Sequence, residues 1–294
     1  MEKLYSLFFK STKPRSVEEL IDFYFHRRLA VPFVQLAIWL KLTPNQVTAL
    51  SLLSGCTSAF FFYHGLFFLG AFWLLLAIVL DCTDGMLARA TGQTSPIGRG
   101  VDGLFDLIWV ALIWIGIFFS RRLSLNSSSL LLLMAGAGAG MTLRTWTYDG
   151  VKTTYLSLCY PDYNEQHLTT AQIKEGLKNA LQKKSLMEIP VYLAMWFQHA
   201  VFGQGLETSK KNVLTQSVEQ IRSLLDPPMR CWSFLGEGTQ LFMMTVAGLL
   251  TPLFPEAMTF AFWFMLIPMN VWWLFSAIYW FRQKDSLNFA VEIS

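Results

Sequence analysis

Charge is scarce in this 294-residue chain: 15% of residues are charged against 53% hydrophobic and 15% aromatic, and the mean hydropathy is +0.40. That excludes a disordered chain and an ordinary soluble enzyme. Basic and acidic residues nearly balance, 23 against 20, so no nucleic-acid partner is expected. Cysteine is also sparse. Cys56, Cys82, Cys159 and Cys231 lie far apart with no C-x-x-C pair, so they read as apolar filling instead of a disulfide framework or zinc site. His26, His64, His167 and His199 are equally scattered. No internal repeat or low-complexity tract is present, and Met1 to Arg28 is too charged and interrupted to form the apolar core of a signal peptide.

What the chain does have is apolar runs. A hydrocarbon core of about 30 Å needs about 20 apolar residues as helix. Six runs fit: Gln46 to Tyr63, Leu66 to Leu80, Val101 to Ser120, Ser129 to Leu143, Thr239 to Phe254 and Met258 to Phe281. The second run can continue as helix to Ala90 if its polar end faces protein or water. Outside the long insert, lysine and arginine divide 12 to 2 between the two sides, which puts both chain ends on the cytoplasmic face. Bacterial inner membrane and eukaryotic endomembrane are not distinguished.

The expected fold is an all-α integral membrane protein with six transmembrane helices. Residues 1–45 form a cytoplasmic N-terminus, in which Ser16 to Leu40 reads as an inner-face amphipathic helix capped by Ser16. Residues 46–147 carry four spans, residues 148–237 a helical cytoplasmic insert, and residues 238–294 two further spans and a tail. Within the insert, Thr170 to Leu186 and Glu207 to Leu225 read as helices. Between them Glu188 to Phe202 is apolar enough to rest on the membrane but too short to span comfortably.

Between Leu42 and Ser120 only six side chains are charged: Asp81, Asp84, Arg89, Arg99, Asp102 and Asp106. Ionisable residues at membrane depth are costly and mark a protein-lined polar site. Asp81 and Asp84 are three apart, Asp102 and Asp106 four apart, so each pair faces one side of its helix. Two helices joined by a short turn then present four carboxylates to one cleft. Four anions cannot stay ionised together without cations. Carboxylate oxygens suit Mg²⁺, Mn²⁺ or Ca²⁺, and two such ions would hold a diphosphate and polarise a phosphoryl group. Gly85, Gly92, Gly98, Gly100 and Gly103 leave room for close approach. A divalent-cation channel or carrier is the alternative, disfavoured because the acids lie at one end of their runs with no polar continuation across.

Asp81, Asp84, Gly85, Ala88, Arg89, Gly98, Asp102 and Asp106 follow the pattern D-x2-D-G-x2-A-R-x8-G-x3-D-x3-D without departure. This resembles the signature of the CDP-alcohol phosphatidyltransferases, in which an alcohol attacks the β-phosphorus of a CDP-linked donor and CMP leaves. The resemblance implies Asp81, Asp84, Asp102 and Asp106 as ligands of two Mg²⁺ or Mn²⁺ ions and Asp106 also as general base. It implies Gly85, Ala88 and Gly98 along the cytidine and Arg89 on a phosphate. It further implies a CDP-alcohol donor and an alcohol acceptor, one of them lipid, in phospholipid synthesis, and a possible homodimer. Family enzymes that use phosphorylated acceptors of the glycerol or inositol type usually carry an arginine where this chain has Ser51.

Three other features stand apart from the motif. Arg144 reads either as a phosphate contact or as an interfacial, topology-setting residue. Asn45 and Thr48 read as helix caps or substrate contacts, and Gly136-x3-Gly140 permits close helix packing.

Overall fold

The computed structural model describes residues 14–94, 96–120, 122–160, 170–185, 188–202 and 217–292. All regular structure among them is helical. A π-helical turn, Asp22–His26, leads into α1 (Arg27–Trp39). There follow α2 (Pro44–Tyr63), α3 (Phe67–Thr91), α4 (Pro96–Phe119) and α5 (Ser127–Cys159). The insert supplies α6 (Thr170–Gln182), α7 (Glu188–Phe202) and α8 (Val218–Trp232), and the chain closes with α9 (Glu237–Leu250), α10 (Ala257–Leu266) and α11 (Pro268–Glu292).

Local chemistry sets these limits. Thr43 closes a capping box with Gln46 and Pro44 opens α2, so the cap is Thr43, and neither Asn45 nor Thr48 serves as one. Gly92 ends α3 in the left-handed conformation, φ +68°, which glycine adopts without strain. Asn126 caps α5 through the Ser129 N–H at 2.8 Å. Ser16 does not cap the N-terminal helix, contrary to the expectation from its sequence. Helix begins only at Leu20, and the Ser16 hydroxyl instead meets that of Tyr160.

Three helical stretches among the described residues are long and apolar enough to cross a membrane: Phe67–Thr91, Gly100–Phe119 and Ala257–Leu287. The second and sixth expected runs thus appear as longer helices, and the last is broken at Ile267 ahead of Pro268. α2 falls outside this set because Asn45, Gln46, Ser51, Ser54 and Ser58 lower its apolar content, and the three serines are buried against the neighbouring helices. α9 has 14 residues, about 21 Å of helix. α5 does not stop at Leu143 but continues unbroken to Cys159, carrying the first residues of the insert as helix. Part of the expected Glu207 to Leu225 helix lies outside the described residues, and the described part begins at Val218. Large apolar side chains such as Phe72, Leu107, Ile115, Phe260 and Val271 remain on the outer surface, where a soluble protein would bury or avoid them.

The helices form two groups. α2 packs closely against both α3 and α4, with α1 and α9 on the other sides of α3; α5, α8, α10 and α11 form the second group. Close packing in the first group depends on small residues. Ser58 Oγ donates to the Gly70 carbonyl at 2.8 Å, and a Cβ on Gly55 would fall 2.5 Å from Trp109 of α4. Gly136 and Gly140 of α5 face inward onto Leu266, Arg144 and Asn270, so this small-residue stripe is filled from within the chain.

Candidate active site

α3 and α4 each pack against α2, and the C-terminal part of α3 and the N-terminal part of α4 bring their acids together there. Asp81 of α3 and Asp102 and Asp106 of α4 bring carboxylate oxygens within 4.8 Å of one another. Each is half-buried. At this spacing the three oxygens fit a hard divalent cation, and without one they would repel strongly in a poorly solvated setting. The donor set therefore suits Mg²⁺ or Mn²⁺.

Asp84 stands beside this trio. Only 3% exposed, it accepts a 2.6 Å hydrogen bond from the Thr48 hydroxyl of α2 and also touches the Asp102 carboxyl. Two carboxyl groups in contact require a shared proton or a cation. Asp106 is held from its own helix, where the Trp109 indole N–H donates to Oδ1 at 3.0 Å. Trp109 is 1% exposed and rests on Gly55, so the orientation of Asp106 depends on a glycine 51 positions earlier.

Sequence spacing alone missed Trp109 and Gly55, and it singled out Thr48 without its partner Asp84. A signal for that pairing was present: a hydroxyl just over one turn into an apolar helix needs a polar partner.

Arg89 lies one turn beyond Gly85, and its guanidinium would stand 3.4 Å from a Cβ placed there. Glycine at 85 thus keeps the face between Arg89 and the acids open. A Cβ added to Gly103 would meet nothing within 4 Å, which leaves open space next to Asp102. Cys82, between the first two acids, points away into the core with Val79, Met86 and Leu87 and is no candidate nucleophile. Gly98 and Ala88 stand at the facing ends of α4 and α3, as the motif requires. Of Arg99 only the backbone is described.

Ser51 is 2% exposed and donates to the Ala77 carbonyl at 3.0 Å, so this position contributes no cation to the site. Arg144 does not serve as a phosphate contact in this geometry. It is fully buried, with Nε and Nη2 on Gln240 Oε1 and Nη1 on the Met265 carbonyl and Asn270 Oδ1. Its task is to tie α5 to α9, α10 and α11. The insert also reaches the motif region: Val191 and Met195 of α7 cover Gly100, two residues before Asp102.

Residues 41–157 match the family model for CDP-alcohol phosphatidyltransferase. An archaetidylinositol phosphate synthase of Pyrococcus horikoshii is 37% identical over 78 residues, which are 26% of this chain and 42% of that protein. A CDP-diacylglycerol–serine O-phosphatidyltransferase of Helicobacter pylori is 33% identical over 89 residues, 28% of this chain and 38% of the other. A phosphatidylinositol phosphate synthase of Streptomyces avermitilis is 33% identical over 85 residues, 29% of this chain and 35% of the other. The chain thus spans less than half the length of the curated relatives it matches. No solved structure matches it.

Proposed function

We propose that this chain, which carries a CDP-alcohol phosphatidyltransferase domain over residues 41–157, joins an alcohol to the β-phosphate of a CDP-linked donor and releases CMP, as a step of phospholipid synthesis. The observation that carries this reading is the meeting of Asp81, Asp102 and Asp106 from two consecutive helices inside the matched region. The protein lies in a membrane with six spans formed by α2, α3, α4, α5, α9 and the α10–α11 pair. Its acids lie on the cytoplasmic side.

Asp81, Asp102 and Asp106 would hold the metal, with Asp84 beside them; a bound divalent pair neutralises the diphosphate and eases departure of CMP. The remaining work belongs to the chain. Thr48 fixes Asp84 and so keeps the second acid of the motif from turning away. Trp109 occupies Oδ1 of Asp106, leaving Oδ2 to accept the proton of the alcohol as its oxygen attacks phosphorus. The new P–O bond forms as the bond to CMP breaks, and CMP leaves with that electron pair. Arg89 meets a phosphate, while Gly85, Ala88 and Gly98 line the cytidine. Direct displacement is favoured because, among the described residues, no serine, cysteine or histidine with a partnering base stands with the acids.

The test is CMP release by the purified full chain in lipid, supplied with CDP-diacylglycerol, CDP-choline or CDP-ethanolamine, a panel of alcohols, and Mg²⁺ or Mn²⁺. The expected result is release with a particular donor and acceptor pair, dependent on metal. Absence of CMP from every pair, with cation flux through liposomes that depends on Asp81 and Asp102, would replace the transferase by a cation pathway.

A further inference from the structure

A second acidic group adjoins the first, built by the N-terminal segment and the start of α9. Glu19 Oε2 accepts the Thr239 N–H at 3.1 Å. A Cβ on Gly236 would fall 1.9 Å from the Glu19 carboxyl carbon, and one on Gly238 would fall 2.2 Å from Asp22 Oδ1. The two glycines therefore admit two carboxylates against the helix end. Glu237 sits between them in sequence, and both Asp22 and Glu237 lie within electrostatic reach of Asp81.

Positive charge nearby is shared among several acids. Arg27 faces Glu18 at 2.8 Å, and Lys152, whose charge also reaches Glu19, faces Asp149 at 2.7 Å. Among the described residues neither Glu19 nor Glu237 forms an ion pair. The partial positive charge of the α9 N-terminus serves Glu19 but is only about half a charge. Glu237 is half-buried at the same helix start and adds a further carboxylate to the group. Burial and Asp22 hold Glu19 well above the usual carboxylate range. A helix cap alone needs one acid, and this cluster holds more.

Two buried polar atoms in the same cluster have no hydrogen-bond partner among the described residues. His26 is fully buried, with Nδ1 on Asp22 Oδ1 at 2.7 Å and Nε2 unpartnered; Thr239, 9% exposed, keeps its hydroxyl unpartnered as well. With the Nδ1 proton given to Asp22, Nε2 presents a lone pair. The turn that holds this pair is π-helical, a local distortion that frequently accompanies a functional site. Both open atoms can accept a hydrogen, and among the described residues the carboxylates here outnumber the cations beside them. An ammonium group, with three N–H donors and one positive charge, answers both deficits.

We infer that the cluster of Glu19, Asp22, His26, Glu237 and Thr239 recognises an ammonium group on the alcohol being joined, so that the substrate is an amino alcohol, free or CDP-linked. This rests on the transferase reading for its place in the reaction but not for its binding chemistry. An ammonium here stands beside the acids at which the phosphoryl group is transferred, as a short amino alcohol requires.

The test is equilibrium binding to the full-length protein in nanodiscs containing Mg²⁺, with labelled ethanolamine, ethylene glycol, glycerol 3-phosphate, CDP-ethanolamine and CDP-glycerol. The ammonium compound of a matched pair should bind about tenfold more tightly or better than its neutral partner. The free and CDP-linked arms show which substrate carries the group. Glu237→Gln should remove the preference while binding of CDP itself persists; should that variant not fold, Thr239→Val should weaken the preference in the same direction. Equal binding of charged and neutral partners, or tighter binding of glycerol 3-phosphate, overturns the inference. CMP release with neutral or phosphorylated acceptors alone does so too, while sparing the transferase. Ammonium binding without CMP from any pair would uphold the cluster's chemistry and overturn the transferase.

Discussion

Two buried polar regions of this molecule are built on opposite terms. Around Arg144 one cation is enclosed by neutral acceptors, Gln240, Asn270 and the Met265 carbonyl, and is fully excluded from water. Around Asp81, Asp102 and Asp106 anions are gathered against one another, with neutral donors from Trp109 on Asp106 and from Thr48 on the neighbouring Asp84. The first region is closed: its donors are spent within the chain. The second is left open toward a ligand of opposite charge. A satisfied buried network rigidifies a fold, whereas clustered like charges cost stability and persist where a ligand repays them.

Neutralising substitutions should separate the regions most sharply. Asp106→Asn should lower turnover by about 10²–10⁴-fold while binding of the CDP donor largely survives. Asp81→Asn and Asp102→Asn should remove activity together with metal binding. In metal-free protein none of the three should lower the thermal unfolding temperature, because each removes repulsion. Equal loss of donor binding in Asp106→Asn would make that residue chiefly a ligand. Arg144→Met should behave in the opposite way. It strands Gln240 and Asn270 and should cost about 2–4 kcal/mol of stability in denaturant titrations. Its activity per folded molecule should change little, and a selective rise in KM for the donor would restore a phosphate-contact role.

The contrast also explains what the sequence discloses. The acids were legible because helical spacing is local: three and four residues set a common face without any knowledge of the rest of the chain. Arg144 was ambiguous because its partners Gln240, Met265 and Asn270 come from helices about a hundred residues away. The Thr48–Asp84 bond and the seat of Trp109 on Gly55 escaped for the same reason, since each is made across a helix interface. Runs Leu66 to Leu80 and Val101 to Ser120 lie in helices of crossing length, as strong apolar composition requires. Thr239 to Phe254 emerged as a shorter helix ending at Leu250, because Thr251 and Pro252 turn the chain. The insert was least legible: its amphipathic stretches fix helices but not their docking, and α7 meets α4 at Gly100 through a contact no period encodes.

Trp109→Phe tests a smaller difference, support of a ligand as against support of a fold. The ring volume is largely kept, so packing on Gly55 should persist, but the bond to Asp106 is lost. Turnover should fall about tenfold with KM for the donor unchanged, the size expected for one hydrogen bond to a charged group. A stability loss as large as that of Arg144→Met, with full turnover per folded molecule, would place Trp109 on the structural side.

The finest test uses one glycine from each region. A Cβ on Gly140 would lie 2.8 Å from Arg144 Nη1 and 3.0 Å from the Asn270 amide, whereas one on Gly103 meets nothing within 4 Å. Arg144 is a long side chain and would ordinarily yield, but here its donors are fixed on α9, α10 and α11, so it cannot withdraw without breaking them. Gly140→Ala should therefore destabilise by about 1–3 kcal/mol despite the better helix propensity of alanine. Gly103→Ala meets no such obstacle and should stabilise the metal-free protein by up to about 1 kcal/mol. The same methyl group stands beside Asp102, where the transferase reading puts its substrates, so KM for donor or acceptor should rise even as the protein grows more stable. Were Gly103→Ala to gain stability with both KM values unchanged, the open space beside Asp102 would not be where substrate lies.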